Sequence, residues 1–237
     1  MTTIFNFFLG SLLLIWFPGL LKSLSFELSF AANNLARFSP LLLGLLVYLP
    51  AHILVVRRWP WIRVLGHELT HALFAILFLR RVTEFVVSSK GGYVCHVGSA
   101  GGEFGNSVIS LSPYFFPTIT ITMLLLRPWI GDSCLAAYDI GIGCSLAYHT
   151  ATSISETIHA FRKRYFTDVS GEHSESDTTA RGSIFSAIFI AFFFLFFNGL
   201  ILAQIRDGYD GSWQFIKTVA LIGKDDMALL VRSIFSK

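Results

Sequence analysis

Residues Gly66 to Ala72 read GHELTHA, which sets His67 and His71 four positions apart with Glu68 directly after the first histidine. On an α-helix that spacing puts both imidazoles on one face, about a turn apart, so that each can aim a ring nitrogen at a single metal ion. Glu68 is then in reach of a water on that ion. In such an arrangement the imidazoles hold Zn²⁺, the ion lowers the pKa of the water, and the Glu68 carboxylate takes the proton and passes it to a departing amine. The chemistry is peptide-bond hydrolysis without a covalent intermediate. The pattern also arises by chance, and its setting gives it weight. Ionisable groups inside an apolar segment are costly to place in lipid and are functional by default.

The elements that must position these residues are membrane helices. Of 237 residues, 54% are hydrophobic, only 14% are charged and 24 are Phe, a composition outside the range of a soluble domain. The net charge of +3 is small and scattered, with no basic run interleaved with aromatics, which excludes nucleic acid as a partner. Cys95, Cys134 and Cys144 form no CxxC pair and are expected as small buried apolar residues.

Ile4 to Leu21 reads as a first, retained membrane helix, and Lys22 to Ser39 as a polar interfacial interval. Pro40 to Val56 is a second span ending at Arg57-Arg58, beside a Trp59 and Trp61 headgroup belt. The third helix, Trp61 to Leu79, carries the motif near its start, which puts His67 roughly 9 Å from Trp61 at 1.5 Å per residue, shallow enough for water. Two β-prone runs follow, Thr83 to Ser89 and Tyr93 to Val97, joined through Lys90-Gly91-Gly92 as a hairpin. Beside the motif helix, its free edge could hold a substrate in extended form. The Gly98 to Gly105 stretch lacks the residue order of a phosphate loop.

Val108 to Leu126, with Pro113 and Pro117, reads as a fourth span and Cys134 to His159 as a fifth. The fifth places His149, Ser153 and Glu156 on one face, which must meet protein or water rather than acyl chains. Ile184 to Ile205 is the clearest span, and from Arg206 the chain turns amphipathic, as a segment lying on a membrane surface would. The expectation is an all-α polytopic membrane protein of about six transmembrane helices, with a short hairpin or re-entrant region after the motif helix. Residues 1–205 form one embedded domain and 206–237 a tail. Basic residues at Arg57 to Arg63 and Arg162 to Arg181 place both regions, and the site near them, at the cytoplasmic side of the cell membrane.

HELTHALFAILFLRRV with a Gly-bearing β stretch after it, then ISLSPYFFPT, then SLAYHTATSISET with a downstream TD, together resemble the M50, or site-2 protease, group of membrane metallopeptidases, in their compact branch without a PDZ domain. The resemblance covers roughly residues 60 to 200. It implies an intramembrane zinc endopeptidase acting on a membrane-associated polypeptide, with His67 and His71 as ligands and Glu68 as base. It also implies a third ligand, normally an Asp in an LDG motif that is missing here. Asp168, in TDVSG, is the nearest equivalent, with Glu156 and His149 as rivals, and Asp, Glu and His would each complete a tetrahedral site. Asn106 and Asn198 are candidates for oxyanion stabilisation. Two other classes of function fit the same residues: an inactive protease fold that binds a partner, and a metal transporter or sensor with His and Glu along an ion path.

Overall fold

The computed structural model describes residues 2–56, 58–166 and 183–235. Within them the chain runs α1 (Thr2–Asn33), α2 (Leu35–Ala51, continued by a π-helical turn His52–Val56), α3 (Pro60–Leu77), β1 (Arg81–Ser88), β2 (Gly91–Val97), α4 (Gly102–Phe115), α5 (Thr118–Leu126, closed by a 3-10 turn Arg127–Trp129), α6 (Asp132–Phe166) and α7 (Ser183–Phe235). Phe7–Asn33, Leu35–Val56 and Ile184–Asp225 are long and apolar enough to cross a membrane. The α4–α5 pair, bent by 80°, makes a fourth crossing if it counts as one broken span. The chain is therefore a helical integral membrane protein with a small hairpin, and among the described residues these stretches do not reach the expected six or so crossings. Helices α3 and α6 fall outside the apolar set because they carry the chemistry: Arg63, His67, Glu68 and His71 on one, Asp139, His149 and Glu156 on the other.

Two further expectations change. The interval Lys22–Ser39 is helical on both sides of a single break at Asn34. It is polar but contains no Pro or Gly before Ser39 to stop a helix, and the amides of Asn33 and Asn34 donate back to Ser29 O and Phe30 O at 2.9 and 2.8 Å. Helix α7 is not straight either, since Asp207 (φ −139°) and Gly208 (φ 64°, ψ −144°) leave the helical region. A straight helix would hold Phe196 and Phe215 about 28 Å apart, yet their ring centroids are 5.7 Å apart. The chain folds back at Gly208, and the stretch read as a surface segment lays Phe215 and Val219 into the core.

Helix α1 fills the groove of this helical hairpin, with Phe17 against Phe192 at 6.1 Å between centroids and Trp16 over Gly223. An ion pair ties its far end: Arg206 Nε donates to Glu27 Oε2 at 3.0 Å, and both side chains are buried. Helices α2 and α6 cross at Gly44 and Gly143, where an added Cβ would meet Ile140 O at 2.1 Å and Leu41 O at 2.2 Å. Such small-residue crossings are how helices pack in lipid, where association rests on close van der Waals contact. Cys144 donates to Gly44 O at this crossing, whereas Cys95 and Cys134 are exposed, so the buried role expected of the cysteines fails for those two.

The hairpin pairs β1 and β2 antiparallel, from Arg81 opposite Val97 to Ser88 opposite Gly91. Helix α3 starts with Pro60 at its first position, where no N–H is needed. It ends with Leu79 in the left-handed region (φ 54°), while Arg80 N donates to Ala75 O at 2.8 Å. The buried Arg80 guanidinium then holds the Gly-rich stretch, donating to Ala100 O, Gly102 O and Asn106 Oδ1. Asn106 Oδ1 accepts from Arg80, and Asn198 donates to Phe194 O at 2.8 Å.

Candidate metal centre

His67 and His71 lie on one face of α3 with their Nε2 atoms 3.2 Å apart and ring centroids 4.8 Å apart. The opposite ring nitrogens are fixed from outside. His71 Nδ1 is 2.8 Å from Ile109 O. A carbonyl oxygen only accepts, so Nδ1 carries the hydrogen. That carbonyl lacks its helical partner because the residue four positions on is Pro113, which has no N–H to close the bond, and it also accepts from Ser112 Oγ at 2.9 Å. The same device recurs one turn later: Pro117 leaves Pro113 O to accept Ser153 Oγ at 3.2 Å.

His67 Nδ1 is 2.5 Å from Glu156 Oε2, and the second carboxylate oxygen faces Arg63 Nε at 3.6 Å. The Glu156 carboxylate thus accepts the Nδ1 hydrogen and orients the ring, which Tyr114 backs edge-on at 5.5 Å. With both hydrogens on Nδ1, the two Nε2 lone pairs converge across 3.2 Å. Lone pairs so placed repel unless a proton or a metal ion lies between them. The edge of a tetrahedron with Zn–N bonds of 2.0–2.1 Å is about 3.3–3.4 Å, so the donor pair fits zinc in distance and in protonation.

Helices α5 and α6 hold α3 in place. Tyr148 Oη donates to Ile62 O at 2.9 Å, Thr70 and Thr118 share a hydroxyl hydrogen bond at 2.7 Å, and Gly66 admits Tyr148 where a Cβ would stand 2.5 Å from its oxygen. Glu68 is buried on α3 under β2. A Cβ on Gly92 would lie 2.8 Å from Glu68 Cγ and 2.7 Å from Val64 Cγ1, so only a glycine lets the strand approach this closely.

Two spaces meet at His67. A cavity of about 380 Å³ is lined by His67, Glu68 and His71 from α3, by Ile109 and Ser110 from α4, and by Gly92, Tyr93, Val94 and His96 from β2. On the other side a narrow cleft runs between α3 and α6 and includes His149 and Glu156.

The structure therefore separates the rival third ligands. Glu156 is bound to the outer nitrogen of His67 rather than to the space between the Nε2 atoms. His149 is buried in the cleft, 3.3 Å from Ser153 Oγ and stacked on Phe194, away from the cavity. Asp168 lies outside the described residues. Among the described residues no three His, Cys, Asp or Glu gather as a metal-holding group. One cavity residue escaped the sequence reading: His96, on the face of β2 shared with Gly92 and Val94. Burial, then the Arg80 charge, hold its imidazole below the usual histidine range. Strand alternation from Gly92 would have placed it.

Neither a curated protein nor a solved structure matches the chain. The model of the Peptidase M50B-like family matches residues 38–152, from the start of α2 through the motif helix, the hairpin and α4–α5 to the Thr152 turn of α6, and so spans both the histidine pair and the helices that hold it. Over residues 38–152, just under half of its length, the chain is therefore M50B-like, which supports membership of the M50 peptidase family.

Proposed function

We propose that the chain is an intramembrane zinc endopeptidase that hydrolyses a peptide bond of a membrane-associated polypeptide near the cytoplasmic face of the cell membrane. The observation that carries this reading is the 3.2 Å approach of two Nε2 atoms whose Nδ1 hydrogens are both committed elsewhere, with Glu68 beside them. His67 and His71 hold the metal, and Asp168 is the third donor by family resemblance. Zinc, when bound, supplies a Lewis acid that lowers the pKa of water.

Glu68 takes a proton from the attacking water as its oxygen bonds to the scissile carbonyl carbon and the carbonyl π pair moves to oxygen. The protonated Glu68 then gives that proton to the amide nitrogen as the C–N bond breaks, leaving an amine and a carboxylic acid, which ionises by releasing the water's second proton to solvent. A helical peptide bond is shielded by its own hydrogen bonds, so the substrate must be unwound first. Strand β2, which lines the cavity, offers the edge on which an extended segment is held by main-chain hydrogen bonds.

The test compares membranes of cells carrying the wild type and Glu68→Gln. Loss of cleavage products, with zinc still bound to Glu68→Gln, is the expected result. Unchanged products in that variant would show that the carboxylate does no chemistry and end the protease reading.

A further inference from the structure

We infer that Ser110 is a substrate-binding residue whose hydroxyl pairs with the main chain of the extended substrate on the edge turned away from β2, an assignment that rests on the protease reading above. Strand β2 and helix α4 both pack on α3. The cavity over His67, Glu68 and His71 has Gly92, Tyr93, Val94 and His96 on its strand wall and Ile109 and Ser110 on its α4 wall. From Ser107 to Phe115 every residue of α4 is buried except Ser110, which is half-buried. The surface that Ser110 keeps therefore opens on the cavity it lines.

The other two serines of α4 spend their hydroxyls on the main chain, Ser107 Oγ donating to Glu103 O and Ser112 Oγ to Ile109 O, each at 2.9 Å. Ser110 Oγ makes no hydrogen bond among the described residues. Its neighbour on the same wall, Ile109 O, is already taken by His71 Nδ1 and Ser112 Oγ. The Ser110 hydroxyl is thus the side-chain group that α4 leaves open toward this cavity. An extended chain turns the N–H and C=O groups of alternate residues to opposite edges. A substrate paired on β2 therefore satisfies every second residue and faces the others toward α4. Main-chain groups that lose water there need a partner, and a rotating hydroxyl can meet either a carbonyl or an N–H.

The test uses the purified full chain in detergent, an uncleavable phosphinate peptide with apolar residues on both sides as the probe, and zinc content measured in parallel. Ser110→Ala puts the best helix former in the helix and is expected to keep the fold and the zinc content of the wild type. It is expected to bind the probe about fivefold more weakly. Replacing the main-chain amides of the probe by esters, one at a time, should find one whose cost in the wild type disappears in Ser110→Ala. A serine that only supports the helix would leave every ester cost unchanged. Equal probe affinity in wild type and Ser110→Ala, ester costs that the variant does not alter, or loss of zinc or of the fold from Ser110→Ala would each overturn the assignment. So would a zinc-loaded wild type that binds no probe, with the protease reading still decided by Glu68→Gln. A wild-type chain that takes up no zinc overturns both.

Discussion

Glu156 on α6 meets the outer nitrogen of His67 on α3, 2.5 Å from Nδ1 to Oε2, across 89 positions of sequence. The carboxylate fixes the ring and its tautomer and so sets the direction of the Nε2 lone pair. Outer partners of this kind tune metal affinity without supplying a bond to the ion, and their loss costs about 10–100-fold. Glu156→Gln is accordingly expected to weaken zinc binding by that factor, and His67→Ala to remove it. Competitive zinc titration of the purified variants measures both, and a Glu156→Gln loss as complete as that of His67→Ala would make Glu156 a ligand after all.

Pro113 acts on His71 in the same way through the main chain. Pro113→Ala restores an N–H that competes for Ile109 O, the acceptor of His71 Nδ1. The expected outcome is a thermal midpoint at or above that of the wild type with zinc affinity lowered roughly tenfold. Lower stability with unchanged affinity would refute the link between the proline and the ring.

Gly66 and Tyr148 fix how closely α6 approaches the motif helix. Gly66→Ala places a Cβ 2.5 Å from Tyr148 Oη and 3.3 Å from the ring, an overpacking expected to cost about 1–3 kcal/mol. Adding Tyr148→Phe removes the nearest atom and should restore part of the loss despite giving up the bond to Ile62 O. Denaturation of the single and double variants checks this, and simple additivity of the two losses would contradict it.

Glu27 and Arg206 are buried across the bundle at 3.0 Å, so removing one strands the other. Glu27→Leu or Arg206→Met alone is expected to cost about 3–5 kcal/mol, and the double variant much less. Asp207, which also pairs with Arg206, is exposed and stays solvated in the double variant. Thermal unfolding in detergent distinguishes the cases.

The histidine pair and Glu68 were legible because helical spacing alone brings them together, and the hairpin because its β-prone runs bracket a Gly-Gly turn. Glu156 stood out as a carboxylate in an apolar helix. Its role did not, since sequence cannot tell which ring nitrogen a partner will face. Pro113 read as one of two prolines within a span, though the residue four positions before it, Ile109, was the clue to the acceptor it leaves without a helical partner. His96 had no part in the sequence reading, because a strand places its side chains only after the packed face is known. The fold-back of α7 was hidden by apolar residues on both sides of Asp207-Gly208, which a hydropathy reading runs together while the glycine turns the chain.

Zinc bound to the purified full-length chain is the most direct measurement of the central claim that His67 and His71 converge on a metal ion. About one zinc per chain is expected in the wild type and in Glu68→Gln, and none in His67→Ala/His71→Ala with its helical content intact. Zinc retained by the double histidine variant, or absent from the wild type after incubation with the metal, would contradict it.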